Sequence, residues 1–163
     1  MTTAKPTRSR PDIPEGYGIP KTSSGMKSWE WVMEQVTAPQ NYWISTVTPD
    51  GKPHSIPVWG VWVDGVFYHG GGPETRRGRN LAANPHMTMH LESGDEVVII
   101  EGEAEILTEN NIDPALAEQL DAAYLEKYDM KHGLPVWRLK PAKVFAWHHY
   151  PKDVTRWVFD HTA

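Results

Sequence analysis

Two Asp-Gly pairs, Asp50-Gly51 and Asp64-Gly65, narrow what this chain can fold into more than any other feature. Asp-Gly supplies the left-handed backbone that a two-residue hairpin turn needs, and each pair here separates runs rich in β-branched and aromatic residues. The stretch YWISTVTPDGKPHSIPVWGVWVDGVFYHG therefore reads as a three-stranded antiparallel meander from Tyr42 to His69. A helix-period pattern is absent from it, so the chain is committed early to a sheet.

The flanking segments extend that sheet. MTMHLE at 87–92 and VVIIEGEAEILT at 97–108 read as strands around a Ser93-Gly94-Asp95 turn, and Glu101, Glu103 and Glu105 alternate with Gly102, Ala104 and Ile106, giving one wet and one packed face. VWRLKP, KVFAWHHY and TRWVF return to β near the end. Two or three short helices interrupt: one after Ser28, with Trp29, Val32, Met33 and Val36 on one stripe; a turn or two capped by Thr75 and stopped at Asn84-Pro85; and one opened by Asp113-Pro114, with Leu116, Leu120, Ala123 and Tyr124 on its buried side. Six or seven strands without strand-helix-strand alternation indicate a mainly β protein, an antiparallel barrel with helices at its ends. Residues 1–24, rich in Pro, Ser, Thr and basic side chains, read as a flexible arm or a surface strap, and 25–163 as a single domain.

Charge and composition exclude several functions. The 163 residues contain no cysteine, which removes disulfides, thiolate nucleophiles and iron-sulfur ligation together. Redox chemistry would need a bound organic cofactor or a metal held by His and carboxylates. A net charge of -5 argues against nucleic acid as the partner. No apolar run approaches the ~18 residues of a membrane span and no secretory leader is visible, so a cytoplasmic protein without membrane contact is expected. Eight Trp and six Tyr could build a core, an interface or a slot for a planar ring.

The charge is unevenly placed. Twelve acidic residues fall between Glu92 and Asp129 against the single Lys127, whereas Arg76, Arg77 and Arg79 lie within four positions. The macrodipole disfavours arginine in a first helical turn, so three of them at a glycine-led, hydroxyl-capped helix start point to an anion. The alternative is a solvated basic helix that offsets the acidic surface. For the histidines, His148 and His149, taken as neighbours on a strand, would face opposite ways, and no HExxH spacing exists, so no metal site is expected. Hydrolase and Rossmann motifs are absent as well.

The succession of a strand, a DG turn, KPHSIPVW, a second DG turn, FYH, PETRRGRNLAANP, a strand and EGEAEIL resembles the pyridoxamine 5'-phosphate oxidase-like split-barrel superfamily, in particular its actinobacterial branch that uses the deazaflavin coenzyme F420. The resemblance runs from about Trp29 to Phe159. It implies a split β-barrel, a homodimer with a cofactor in each intersubunit cleft, and hydride transfer. Thr75, Arg76, Arg77, Gly78, Arg79, Asn80 and Leu81 match the stretch that grips the cofactor phosphate, with Arg77 where lysine is usual. His54, Ser55, Ile56, Pro57 and Val58 would line the cofactor ring, and backbone groups of His69 and Gly70 would meet the chain between ring and phosphate.

The oxidases of the family often place a basic residue where this chain has Pro57 and Val58, which weakens the case for FMN as cofactor. They also carry an Arg-x-His pair near the C-terminus, and Arg156 has no histidine two residues on, so vitamin B6 oxidation is not expected. The resemblance also suggests Trp147, His148 and Trp157 as lining for the substrate side, His54 or His148 as proton donor, and the basic arm residues Lys5, Arg8 and Arg10 as company for an anionic cofactor tail. Two rival classes stay open: a non-catalytic barrel that binds a cofactor or haem, with His69 or His148 as axial ligand, and a structural dimer with a vacant cleft.

Overall fold

The computed structural model describes residues 6–160, so Lys5 lies outside the described residues. In chain order the elements are β1 (Thr7–Ser9), α1 (Trp29–Thr37), β2 (Tyr42–Val47), β3 (Pro53–Val58), β4 (Gly60–Val63), β5 (Val66–Gly70), α2 (Arg76–Ala83), β6 (His86–His90), β7 (Val97–Leu107), α3 (Pro114–Tyr128), β8 (Val136–Trp147) and β9 (Thr155–Val158). The protein is mainly β, an antiparallel split barrel with three helices. Each helix begins at the cap its sequence announces: Ser28 accepts from the N–H of Trp31, Thr75 from that of Gly78 and Asp113 from that of Ala115.

The main path of the sheet runs β1-β9-β8-β7-β6-β2-β3, with β5 pairing both β4 and β8. The long strand β8 explains the split. It pairs with β7 along its whole length on one side, from Val136↔Leu107 to Trp147↔Val97. On the other side its first half pairs with β5 and its second half with β9. Pro141 stands between the halves, where a residue without an N–H interrupts the ladder, and the β7 register shifts opposite it at Glu101/Gly102. The sheet bends there, and the barrel stays open because β3 and β4 each keep a free edge.

Three expectations need correction. The described residues hold nine strands rather than six or seven, in part because Thr7–Ser9 pairs with β9. The three-stranded meander is two separate hairpins, β2-β3 and β4-β5, since the chain breaks at Trp59 and β3 never pairs with β4. VWRLKP and KVFAWHHY are one strand as far as Trp147, and His148 and His149 lie beyond its end with their rings 4.2 Å apart, not on opposite faces.

The main core gathers Val32 and Val36 of α1, Tyr42 and Ile44 of β2, Phe67, Met89, Ile100, Leu139 and Val144, with Trp157 wholly inside. Trp157 packs edge-on against Trp29 at 5.6 Å, so it belongs to the core and not to a substrate wall. A second cluster under α3 joins Leu120 and Tyr124 to Val61, Tyr68, Leu107 and Val136. It seats the C-terminal half of α3 over the β4-β5 hairpin, next to the turn that leads into α2. The strap is tied down at Asp153, which accepts the N–H groups of His148 and His149 and pairs with Lys27 at 3.2 Å. Arg10 is taken up by the carbonyls of Thr22, Ser24 and Val154, and Arg8 by that of Lys27.

Candidate anion and cofactor site

In the turn from Gly70 to Thr75 the carbonyls of three successive glycines are taken up by side chains, and the Thr75 N–H donates to the Gly72 carbonyl at 3.2 Å. Arg77 Nη2 donates to the Gly70 carbonyl at 2.8 Å, the His69 Nδ1–H lies 3.0 Å from the same oxygen, and Trp137 Nε1–H donates to the Gly71 carbonyl at 2.8 Å. The Thr75 hydroxyl donates to the Gly72 carbonyl at 2.8 Å and accepts from Gly78. Gly78 is required here, because a Cβ at that position would strike the Gly72 carbonyl and the Pro73 backbone. The first turn of α2 therefore folds tightly against its own lead-in, and the N–H groups of Arg76 and Arg77 are left with no acceptor in the helix.

Charge accumulates at the same point. Neither Arg76 nor Arg77 has a carboxylate partner among the described residues, and no acidic residue sits in the first turn. Arg77 is half-buried, its Nε is covered yet unpartnered, and burial holds its guanidinium below the usual arginine range. A half-buried cation with a spare donor, beside the first N–H groups of a helix, is a donor set whose chemistry matches a compact anion such as a phosphate. Arg79 instead donates to the Glu74 carbonyl and lies exposed. Asn80 is buried and donates from Nδ2 to Thr46 Oγ1 at 2.9 Å, which fixes α2 to β2.

That hydrogen bond brings β3 to the turn. Thr46 is the register partner of His54, and His54 faces Arg76 and Arg77 closely enough that these two, after desolvation, hold its imidazole below the usual histidine range. His54 Nδ1 is covered and unpartnered. The five ring-lining candidates divide between faces: His54, Ile56 and Val58 point with Thr46, Ile44 and Tyr42 into the barrel, whereas Ser55 and Pro57 point out with Ser45 and Trp43. Since β3 is an edge strand, one row of its backbone polar groups is unpaired beside the α2 start.

The structure thus brings together Thr75, Arg76, Arg77, Gly70 and His54, with Asn80 as the anchor behind them. His69 is wholly buried, with burial pushing its pKa down to about 4, so it is a neutral core histidine. His148 lies on the surface 3.9 Å from Glu96, at the far end of the sheet from His54. Three residues outside the motif were missed. Trp137 holds Gly71, the buried Tyr124 sets its hydroxyl beside Gly70 and Arg77, and His132 rests its ring on Gly70 and 4.7 Å from the Tyr124 ring. All three reach the turn by long-range packing, and no local sequence signal marks them.

Comparison with known proteins agrees with the fold. The chain is similar in structure to the conserved hypothetical protein Rv2991 from Mycobacterium tuberculosis (TM-score 0.65, 19% identity, 78% of this chain and 89% of that one). It is likewise similar to an F420 reductase (TM-score 0.53, 20% identity, 81% and 98%) and to the haem storage protein HutZ from Vibrio cholerae (TM-score 0.59, 17% identity, 74% and 95%). No curated protein matches the sequence. The sequence pattern of the pyridoxamine 5'-phosphate oxidase family matches residues 29–148, which takes in both hairpins, α2 and the long strands of the barrel, and the chain belongs to that family.

Proposed function

We propose that this protein is a cofactor-dependent oxidoreductase that holds coenzyme F420 by its phosphodiester at the start of α2. The observation that supports the reading is the pair Arg76 and Arg77, neither in a salt bridge among the described residues, at the start of a helix whose first turn holds no acidic residue, with Arg77 Nε covered and unpartnered. The residues fit the group: the covered Arg77 Nε lacks an acceptor that a phosphate oxygen would supply, and Gly71 leaves room for the Arg77 guanidinium where any side chain would collide. When bound, the reduced deazaflavin supplies a hydride for an electron-poor carbon of a planar substrate.

The chain's own residues bind and orient. Arg76 and Arg77 hold the anion, and the β3 edge at His54 to Val58 presents backbone donors and acceptors to the ring. Desolvation, and after it the charges of Arg76 and Arg77, hold the His54 imidazole below the usual histidine range, which favours water over His54 as the source of the proton. FMN is the alternative cofactor. It is disfavoured because Val58 is buried in the barrel and Pro57 lies on the outer face, so neither position adds a cation from β3 to Arg76 and Arg77 for a doubly charged phosphate.

The working unit in this reading is a homodimer. On the outer face the register aligns Pro57, Trp43, His90, Ile99 and Phe145 in one row across five strands, all at least partly exposed. A row of four apolar side chains with one histidine among them on a sheet face fits an interface with a second copy, which would enclose the β3 edge. Haem binding finds little support, since His69 is wholly buried and His148 lies beside a carboxylate.

Parallel fluorescence titrations with coenzyme F420 and FMN test the proposal. Saturable binding of F420, tighter than that of FMN, is expected; tighter FMN binding or a yellow purified protein would replace the cofactor, and no binding of either would remove the enzymatic reading.

A further inference from the structure

The loop between α3 and β8 delivers a side chain to the anion turn that the family motif does not contain. His132 Nδ1 lies 3.0 Å from the Gly133 carbonyl, so in the neutral ring this nitrogen carries the hydrogen and Nε2 the lone pair. Nε2 is the atom nearest to where a Cβ on Gly70 would stand, so this end of the ring is directed at the turn. Arg77 occupies the corresponding space at Gly71. The two side chains therefore flank consecutive glycines of one turn, and His132 is exposed where Arg77 is half-buried.

The position of His132 is built. Its ring packs against Tyr124 of α3, and the loop is tied back where the Gly133 N–H donates to Asp121 Oδ1 at 3.1 Å. The charged and titratable groups around it are Arg77 from α2, His69 from β5, Tyr124 and Asp121 from α3, and its loop neighbours Asp129 and Lys131. Both His132 and Arg77 act electrostatically on His69, which places all three around Gly70. Asp121 is engaged with backbone, and no carboxylate pairs with His132 or Arg77 among the described residues.

We propose that His132 is a further anion-binding residue of this site, its Nε2 becoming a donor to the bound anion only when the ring is protonated. The inference rests on reading the Thr75–Asn80 segment as an anion site. An anion held beside the Nε2 end of the ring, across consecutive glycines from Arg77, favours the protonated ring over the neutral one. Anion binding therefore takes up a proton, and affinity is full at low pH and falls as the pH rises through the histidine range.

Sulfate is a suitable probe because it keeps two charges from mildly acidic to alkaline pH. The His132 ring resonance, assigned by its absence in His132→Gln, is followed by NMR against pH with and without saturating sulfate, and sulfate affinity is measured in parallel. The midpoint should rise by about half a pH unit, matched by an affinity about threefold higher at pH 6 than at pH 8. The His132 share of that dependence should vanish in His132→Gln and in His132→Phe, which keeps the ring packing on Tyr124. If sulfate shifts the amides of Arg76 and Arg77 while the His132 midpoint stays and both His132 variants bind as the parent does, the inference is wrong and the anion site stands. If no amide in that turn responds to sulfate, both fall.

Discussion

The Asn80 side-chain amide donates to Thr46 Oγ1 across 2.9 Å, and both residues are buried. This one bond joins α2, which carries the cation cluster, to the hairpin whose second strand is proposed to line the cofactor ring. Removing either partner leaves the other buried without a hydrogen bond, at a cost of about 1–3 kcal/mol. Asn80→Ala should therefore lower the free energy of urea unfolding by that amount, and Thr46→Val combined with Asn80→Leu should recover part of the loss.

Arg77 has a double role. Its Nη2 orders the Gly70 carbonyl, and its covered Nε has no partner and is proposed to meet the anion. Arg77→Ala should raise the dissociation constant for F420 at least tenfold, equal to about 1.4 kcal/mol. Arg79→Ala should matter less, because Arg79 is exposed and already donates to Glu74. Equal losses for the two variants in a fluorescence titration would mean that the anion is held by diffuse charge and not at Arg77.

At the other end of the barrel, Asp153 ties the N-terminal strap to the start of β9. Against an opposing effect of burial, the N–H groups of His148 and His149 and the Lys27 ammonium hold its carboxyl below the ordinary value of 3.8. A carboxyl with a lowered folded-state pKa stabilises the fold above its unfolded value, and that contribution is lost as the pH falls through the lowered one. Asp153→Asn should thus remove stability at pH 7 and flatten the loss of stability below about pH 4. A pH series of melting temperatures measures it, and unchanged acid sensitivity would shift that role to other carboxylates.

Lys127 gives the opposite signature. Its Nζ donates to Tyr42 Oη at 2.6 Å and to the Gly60 carbonyl at 3.1 Å, and burial pushes its pKa down to about 8. Between that value and the unfolded value of 10.5 the unfolded chain binds more protons, so stability should rise as the pH increases from 8 toward 9.5. The slope should be a fraction of the ~1.4 kcal/mol per pH unit of a complete shift, since the group is only half-buried. Lys127→Met should abolish it. Above pH 10 the tyrosines reverse the trend, because burial raises the pKa of Tyr42 and Tyr124 above that of an unfolded tyrosine.

Local chemistry was legible in the sequence wherever a few adjacent residues decide the structure. Ser28, Thr75 and Asp113 each announced a helix, the two Asp-Gly pairs announced both hairpins, and the arginines beside Gly78 marked the candidate site. The break at Trp59 was not legible. Alternation runs smoothly through it, and what separates β3 from β4 is that β5 pairs with β8, some seventy residues later. Strand β1 escaped notice for a similar reason: Thr7–Ser9 has no pattern of its own and is a strand because β9 offers an edge. Tyr124 belongs to the second core cluster and carries the His132 ring with it, and Trp137 reaches the turn from β8 in the main core, so their place beside the glycine turn became visible only once the long-range packing was known.

A crystal structure of the protein soaked with coenzyme F420 tests the central claim most directly. The account predicts the cofactor phosphate within hydrogen-bonding distance of the Arg76 and Arg77 N–H groups and of the Arg77 guanidinium, with the ring along the β3 edge. A phosphate bound elsewhere, with the start of α2 open to solvent, would contradict it.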